Sequence, residues 1–428
     1  MRLYIDPGTG SMLFAIVIAL VGLLFYLIRG LIIKIRFMVS AGKLDKANLN
    51  TIPLVIFAED KRYWQVFEPI CRELDSRGFN VVYMTSSQDD PALKNEFKHV
   101  DAKFIGEGNK AFAKLGFLNA TILLSTTPGL DVYQWKRSQD VKWYVHIRHD
   151  PCPSTLMYEF FGIDYYDAIL YSGIHQEGEV RCLEKLRNLP EKEMVRVGIP
   201  YMDSKYEKIK DIPKVASDKR TILVAPSWGS NSIFNRMGSK ALKELVKTGY
   251  HIIIRPHPQS YISEKPMLDE LMKEFPESEQ IEWNRDADNT EVSMRVDLLI
   301  SDFSGIVYEF AFLYDKPVIC AMSDFDNSAK DCWWVDLPPL TVDCLSELGA
   351  ILTEENLSDL KKMIDDAIDD DSHTEKRQKL SEETWAYRGE GAKRTADYLI
   401  KKYEELKPKE SANSLKNRKA KKVKAKKA

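Results

Sequence analysis

Within the stretch DLLISDFSGIVYEFAFLYDKPVI (297–319), a polar turn separates an apolar strand from an apolar helix. The turn carries Ser301, Asp302, Ser304 and Gly305, at the carboxyl end of the strand, where open α/β sheets bind ligands. A helix N-terminus with hydroxyl donors and a glycine suits a phosphate group. Asp and Ser are also ordinary capping residues, but a cap needs only one of them. We therefore predict a phosphate-binding turn.

Three further segments of the same half carry residues of matching chemistry. Arg255 and His257 follow an apolar strand in IIIRPHP, where two prolines keep the backbone extended. Glu309 lies inside the apolar helix, where it either accepts hydrogen bonds from a ribose or faces solvent. Ser227, in VAPSWGSNS, either contacts a phosphate or base or belongs to a simple β-turn.

The densest polar cluster of the first half is YVHIRHDP. Strand alternation places His146 and Arg148 on one face, with His149 and Asp150 at or beyond the strand end. Histidine titrates near neutral pH, so His149 is the candidate general base, and the other three residues are candidates for the acceptor side. A metal site of two histidines and Asp150 is the rival interpretation, but no third ligand at a characteristic spacing supports it.

Several familiar motifs are missing from the sequence. It contains no G-x-G-x-x-G of dinucleotide-binding proteins, no G-x-x-x-x-G-K-[ST] P-loop and no G-x-S-x-G nucleophile elbow. The D-x-D triplets at 286–288 and 324–326 are common by chance. We therefore predict neither a cofactor nor a bound metal.

The elements that position these clusters alternate between strand and helix. Strand-like and helix-like runs follow one another from residue 51, pause in the charged, aperiodic stretch 205–220 and then resume. At 428 residues the chain is long enough for two domains. The predicted fold class is α/β, with two Rossmann-like domains facing a cleft. The predicted boundaries are an N-terminal domain at 51–212, a C-terminal domain at 213–388 and a closing helix at 389–408.

The N-terminus has the character of a membrane anchor. Residues 7–28 carry no charge and are nearly all apolar, enough to span a bilayer of about 30 Å, and basic residues follow them. We predict an uncleaved single-pass anchor at 1–36 rather than a signal peptide, with a linker at 37–50 and the remaining domains in the cytoplasm. The basic tail at 409–428 is predicted to be disordered. The net charge of −3 gives no indication of nucleic-acid binding.

The segments RPHP, VAPSW and SDFSGIVYEFAFLYDKPVI resemble the CDP-glycerol glycerophosphotransferase family, which makes polymers of the teichoic-acid type. The resemblance covers roughly residues 140–390 and implies a GT-B-like fold with an N-terminal acceptor domain and a C-terminal nucleotide-donor domain. It places His149 at the position of the family's catalytic histidine. It implies that Arg255, His257, Ser301 and Ser304 hold the donor's pyrophosphate and that Glu309 holds its ribose. His257 is thereby expected to be a catalytic residue together with His149.

The predicted function follows from this resemblance. The protein would be a membrane transferase that moves glycerol phosphate, or a related phospho-alditol, from a CDP-linked donor to a hydroxyl of a membrane-bound glycan or lipid-linked acceptor, with release of CMP. The alternatives are a GT-B glycosyltransferase or UDP-sugar epimerase-like enzyme and, from another class, a non-catalytic nucleotide-binding membrane scaffold.

Overall fold

The computed structural model describes most of the chain between residues 51 and 407. The described residues are 51–212, 219–286, 288–322, 331 and 344–407. The predicted anchor (1–36), linker (37–50), basic tail (409–428) and the triplet at 324–326 lie outside them. Among the described residues, no helix combines the length and apolar character that crossing a bilayer requires.

The first half contains a seven-stranded sheet in which all described pairs are parallel, in the order β3-β2-β1-β4-β5-β6-β7. Its inner strands are mostly apolar and buried, as expected when helices cover both faces of a parallel sheet, whereas the two edge strands carry charged residues. The strands are β1 (Ile52–Ala58), β2 (Val81–Thr85), β3 (Val100–Phe104), β4 (Ala120–Ser125), β5 (Val141–Ile147), β6 (Ala168–Tyr171) and β7 (Glu193–Arg196).

The second half contains a six-stranded parallel sheet in the order β10-β9-β8-β11-β12-β13. Counted from its own first strand, this is the order 3-2-1-4-5-6 of a Rossmann fold. The strands are β8 (Thr221–Val224), β9 (His251–Ile254), β10 (Ile281–Trp283), β11 (Leu298–Ser301), β12 (Val318–Ala321) and β13 (Gly349–Leu352).

Helices connect the strands and cover the sheets. The described α-helices are α1 (Trp64–Ser76), α2 (Asn109–Leu115), α3 (Ser154–Met157), α4 (Ile174–Arg187), α5 (Pro200–Ile209), α6 (Ile233–Met237), α7 (Ser239–Lys247), α8 (Ser260–Ser263), α9 (Lys265–Glu274), α10 (Thr290–Arg295), α11 (Ile306–Tyr314), α12 (Leu345–Leu348), α13 (Leu360–Asp369), α14 (Thr374–Thr384) and α15 (Gly391–Leu406). The last of them, α15, returns to the first half and packs there with α1 and β4.

The chain passes from the first half to the second after the segment around Asp203 and returns through the segment around Trp385 and Gly391. These two crossing segments lie against each other. Asp203 accepts hydrogen bonds from Trp385 Nε1 at 2.9 Å and from the Gly391 N–H at 2.8 Å. A Cβ on Gly391 would lie 2.7 Å from Asp203 Oδ2, and one on Gly198 would lie 2.5 Å from the Ala386 carbonyl oxygen. Only glycine fits at these two positions, so the crossings are packed backbone against backbone.

The α/β prediction is confirmed by the two parallel sheets, and two local expectations need correction. The stretch 205–220, interpreted as a linker, begins inside α5, because Lys205 and Ile209 point into buried surroundings despite the charged sequence around them. The edge strand β13 was not expected, because its four residues, GAIL, are too short to show a period.

Candidate active site

Two adjoining cavities lie where the halves meet. The first, of about 240 Å³, contains Arg255 and is here named the Arg255 cavity. The second, of about 320 Å³, contains His149 and is named the His149 cavity. Residues of both halves line both cavities, and the shared lining residues are Gln65, Tyr201, His257, Ser304, Ile306 and Glu309.

The sheet topology explains why the predicted residues converge here. In the second sheet the strand order reverses between β8 and β11, and the segments that follow them carry Ser227 and Ser304. In the first sheet the reversal lies between β1 and β4, and His149 follows the adjacent β5. Ligands of doubly wound sheets bind at such switch points, outside the carboxyl ends of the strands. Ser227, Ser304 and His149 all line the His149 cavity.

His257 is a neutral hydrogen-bond donor toward the cavities. Its Nδ1 accepts the Gln259 backbone N–H at 3.1 Å, so the ring hydrogen resides on Nε2. Burial, and then the charge of Arg62, lower the pKa of His257 to about 4. The ring also lies against Trp228, with centroids 6.4 Å apart. An uncharged N–H at this place can donate to a phosphate oxygen at neutral pH.

Arg255 supplies positive charge to its cavity. Its Nη1 donates to Asn284 Oδ1, which orients the guanidinium. Burial lowers the pKa of Arg255, and Asp286, Asp288 and Glu309 oppose that shift. An arginine of this kind remains charged in any case, so the cavity holds a partly desolvated cation that would attract an anionic ligand.

Glu309 faces the cavities and not bulk solvent, with 15% of its side chain exposed. It lies in the first turn of α11, and its carboxylate accepts from Tyr201 at 3.0 Å and from Asn289 Nδ2 at 3.0 Å. Lys205 Nζ forms an ion pair with the same carboxylate. The carboxylate is therefore held in place by residues from α5 and from the end of the 286–289 segment.

Ser301 and Asp302 have internal partners and line neither cavity. The Ser301 hydroxyl donates to the Ala225 carbonyl at 2.5 Å. The two Asp302 oxygens accept the backbone N–H groups of Ser227 and Ile233, each at 2.8 Å. Burial raises the pKa of Asp302, although these hydrogen bonds oppose the rise. The structure places both residues behind the cavity, as supports of the Ser227 segment, where we had expected contacts to phosphate.

Ser304 and Gly305 lie at the start of α11, beside the cavity. Ser304 lines both cavities, and Gly305 lines the His149 cavity. Gly305 has a φ of −58°, so its backbone conformation does not require glycine. A Cβ there would lie 3.9 Å from Cys152 Sγ of the first half, an ordinary contact. The turn therefore contributes mainly the N-terminus of α11, whose partial positive charge lies beside the cavity.

His149 is the histidine of the first half that lines the cavity shared with the second half, with 28% of its side chain exposed. Its Nδ1 lies 2.8 Å from the Thr126 hydroxyl, and its Nε2 lies 3.5 Å from Asp150 Oδ2. Tyr63 packs edge-on against the ring at 5.8 Å. Burial lowers the pKa of His149, Asp150 opposes this shift, and Arg148 adds to it. The ring is therefore neutral at physiological pH, as a general base must be.

Asp150 is held by the buried Arg148. Arg148 Nη2 donates to Asp150 Oδ1 at 2.6 Å and to the Cys152 carbonyl at 2.9 Å. The Cys152 N–H also donates to Asp150 Oδ1, at 3.0 Å. Burial acts to raise the pKa of Asp150, but the charges of Arg148 and His149 and the two hydrogen bonds together outweigh it, so the pKa lies below its usual value. Oδ1 is thus fully engaged, and Oδ2 is the oxygen nearest His149.

His146 and Arg148, predicted as possible acceptor contacts, are fully buried. His146 Nε2 lies 2.9 Å from the Tyr158 hydroxyl, and its ring packs against Tyr166. Burial, then Arg148, hold the pKa of His146 well below its usual value. Neither side chain lines the two cavities, because strand alternation turns both into the core.

Sequence reasoning missed four residues that hold these groups: Thr126, Tyr201, Lys205 and Asn289. Polar residues that directly follow an apolar strand were treated as site candidates in other segments, and Thr126 meets the same condition. Lys205 gave no such signal, because it lies in the stretch 205–220 that was interpreted as a linker, and Tyr201 lies just before that stretch on the same helix. No group of three or more potential metal ligands occurs among the described residues.

Comparison with known proteins assigns the family. The family model described as CDP-glycerol:poly(glycerophosphate) glycerophosphotransferase matches residues 164–401, more than half of the chain. The chain belongs to this family. The predicted resemblance is therefore confirmed, and the matched region includes Arg255, His257, Ser304 and Glu309.

One curated relative is a teichoic acid glycerol-phosphate primase of Bacillus spizizenii (strain ATCC 23059 / NRRL B-14472 / W23). It is 28% identical over 145 residues, which are 31% of this chain. The alignment spans 34% of that relative's own length, about a third.

Solved structures share the fold of this glycerophosphotransferase family member. A variant of the wall teichoic acid polymerase TagF, soaked with CDPG, aligns with 85% of this chain and 92% of its own, at 16% identity and a TM-score of 0.51. The UDP-GlcNAc 2-epimerase of Methanocaldococcus jannaschii, in complex with UDP-GlcNAc and UDP, aligns with 81% of this chain and 99% of its own, at 14% identity and a TM-score of 0.51. The predicted GT-B-like α/β arrangement is thereby confirmed.

Proposed function

We propose that the protein transfers glycerol phosphate from CDP-glycerol, or a related phospho-alditol from its CDP-linked form, to a hydroxyl of a membrane-associated glycan or lipid-linked acceptor. CMP is the other product. One observation carries the proposal: a neutral histidine of the first half faces His257 and the start of α11 of the second half within one cavity. Membership of the glycerophosphotransferase family supports the choice of donor.

His149 acts as the general base in this proposal. The reaction requires the tautomer in which the His149 Nδ1–H donates to the Thr126 hydroxyl, because the lone pair of Nε2 is then available for the acceptor's proton. The acceptor oxygen attacks the β-phosphorus of the donor as this proton moves to Nε2. The bond between the β-phosphorus and the bridging oxygen breaks, and CMP leaves with the electron pair. Asp150 Oδ2, 3.5 Å from Nε2, stabilises the imidazolium that forms.

The second half holds the donor. Arg255, the Nε2–H of His257, the Ser304 hydroxyl and the N-terminus of α11 bind the pyrophosphate oxygens, and Glu309 binds the ribose. Fixed donors of this kind contribute through positioning and charge stabilisation, which dominate phosphoryl transfer. We retain 51–212 as the acceptor domain and 213–388 as the donor domain within this proposal.

The membrane location is also a proposal. The apolar, uncharged composition of residues 7–28 supports a single-pass anchor at the cell membrane, with the transferase domains on the cytoplasmic side. If so, the full chain remains in the membrane fraction after washes with high salt and alkaline carbonate. Extraction by salt alone would show peripheral binding.

CMP release tests the activity. Purified full-length protein is incubated with radiolabelled CDP-glycerol and membranes that carry the acceptor, with CDP-ribitol and UDP-GlcNAc as competing donors. We expect label to move from CDP-glycerol to the membranes in step with CMP formation. Turnover of UDP-GlcNAc alone would favour the epimerase or glycosyltransferase alternative. Nucleotide binding without turnover of any donor would favour the scaffold alternative.

A further inference from the structure

A groove of about 510 Å³ adjoins the His149 cavity on the side of the first half. Met157 and Trp228 line both spaces, so the groove leads to the catalytic histidine. Its walls come from the segments that follow β1 and β4 and from residues 157–162. Its position and size suit the part of an acceptor that lies next to the attacked hydroxyl.

The charge of the groove limits what it can hold. No Lys, Arg or His lines it among the described residues, and two carboxylates do, Glu59 and Glu159. The neighbouring Arg137 is engaged by both oxygens of Asp167. The two carboxylates repel negative charge, so a chain with a phosphate on every unit is disfavoured in the groove. The Arg255 cavity differs from the groove, because Arg62 and Arg255 line it beside its two carboxylates.

Aromatic side chains make up much of the wall. Tyr133 and Trp228 are 58% and 50% exposed, which leaves ring surface open to a ligand. Gln134 and Thr127 stand beside them with polar atoms. A pyranose presents an apolar ring face together with hydroxyls, and it matches this mixture. An acyl chain does not, because it would leave the carboxylates and the amide without polar partners.

We propose that this groove binds an uncharged sugar ring at the end of the acceptor and directs one of its hydroxyls to His149. The inference rests on the proposed transfer reaction and specifies its acceptor class. The protein would therefore add a first glycerol phosphate to a glycan and would not extend an existing poly(glycerol phosphate) chain.

The test compares two acceptors on the same octyl aglycone, with CDP-glycerol as the donor and the full-length protein. One acceptor set is a panel of octyl pyranosides, and the other acceptor is octyl-linked tri(glycerol phosphate). We expect CMP release with at least one pyranoside, whose mass increases by a single glycerol phosphate unit, and little with the charged oligomer. Glu159→Lys, which adds a cation to the groove, should raise turnover of the oligomer.

The Tyr133→Ala variant localises the effect. Loss of one aromatic contact should raise the KM of the pyranoside about tenfold and leave the KM of CDP-glycerol unchanged. Tyr165→Ala is the matched control, because Tyr165 is also exposed but lies outside the groove. A preference of the wild type for the oligomer would overturn the inference, as would an equal KM for the pyranoside in both variants.

Saturation-transfer NMR separates this inference from the proposed reaction, because it detects pyranoside binding without turnover. Binding that Tyr133→Ala removes and Tyr165→Ala preserves supports the groove assignment, even if no CMP forms. In that case the proposed reaction fails and the sugar site stands. CMP formation from CDP-glycerol without pyranoside binding or use would instead reject the sugar site and keep the reaction.

Discussion

The two halves present the same kind of sheet edge to the cleft but use its polar residues in opposite ways. In the second half, Arg255, His257 and Ser304 open directly to the cavities. In the first half, Arg148 is buried, and it braces Asp150 beside a single histidine that faces the cavity. In both halves these residues follow the carboxyl ends of strands at a switch point or directly beside it.

This difference indicates a division of tasks. Several donors spread over one edge suit a charged ligand that must be held at many atoms, such as a pyrophosphate. One histidine with both ring nitrogens in defined surroundings suits a single proton transfer. The comparison therefore predicts that variants of the first half change the rate and that variants of the second half change donor affinity.

Replacement of His149 tests the division most strongly. His149→Gln removes the base and should lower turnover by roughly 100-fold or more, while the dissociation constant of CDP-glycerol stays nearly constant. Turnover is measured as CMP release at saturating donor, and affinity is measured by calorimetry. Dissociation constants that rise in parallel with the loss of rate would instead place His149 among the donor contacts.

His146→Gln is the control for this experiment. His146 is a second histidine of the same strand region, but it is buried against Tyr158 and Tyr166. We expect a lower melting temperature and near-normal turnover in the fraction that remains folded. If His146→Gln abolishes turnover in folded protein and His149→Gln does not, the base has been assigned to the wrong residue.

The second half was the more predictable of the two from sequence. Its functional residues lie in contiguous segments at strand ends, so the location of Ser304 or His257 follows from the strand alone. Two of its predicted ligand residues, Ser301 and Asp302, instead support the backbone of the Ser227 segment. A sequence pattern shows that polar groups stand at a strand end, but not which of them already has an internal partner.

The first half required contacts that are distant in sequence. The alternation in YVHIRHDP places His146 and Arg148 on one face, but Thr126, which contacts His149, belongs to a different strand. Lys205 and Glu309 likewise form an ion pair across 104 positions of sequence. The first pair depends on which strands are neighbours in the sheet and the second on how the two halves are joined, and local periodicity holds no information about either.

Donor-site variants should have the next largest effect. His257→Ala or Ser304→Ala removes a hydrogen bond to a charged ligand, worth roughly 1.5–3 kcal/mol, or about 10- to 150-fold in affinity for CDP-glycerol. Calorimetry with CDP-glycerol measures the change. Ser230→Ala is a control, because this exposed serine of the neighbouring loop lines neither cavity. If both variants bind CDP-glycerol with unchanged affinity, the two residues have only packing and capping roles.

Asp150→Asn should reduce the rate by a smaller factor, about tenfold, and change its pH dependence. The carboxylate opposes the lowering of the His149 pKa, so its removal lowers that pKa further. The acidic limb of the rate profile, where His149 becomes protonated, should therefore move to lower pH while the plateau falls. A rate loss caused by misfolding alone would not move the limb. A shift to higher pH would contradict the arrangement of Asp150 and His149.

The smallest expected effect distinguishes the two histidines of one cavity. The His257 pKa, lowered to about 4 by burial and then by Arg62, leaves this ring neutral throughout the physiological range, with Nε2–H as its donor. CDP-glycerol carries only fully ionised phosphodiester-type groups, so its dissociation constant should be flat between about pH 6 and 8. The rate should still rise across the His149 limb at lower pH. If donor affinity weakened as the pH rose through about 6.5, His257 would be binding as an imidazolium with an ordinary pKa, and the neutral donor assigned to it would be wrong. Calorimetric titrations of the wild type at each pH decide this, and His257→Gln, which retains a neutral N–H donor, should reproduce the flat profile.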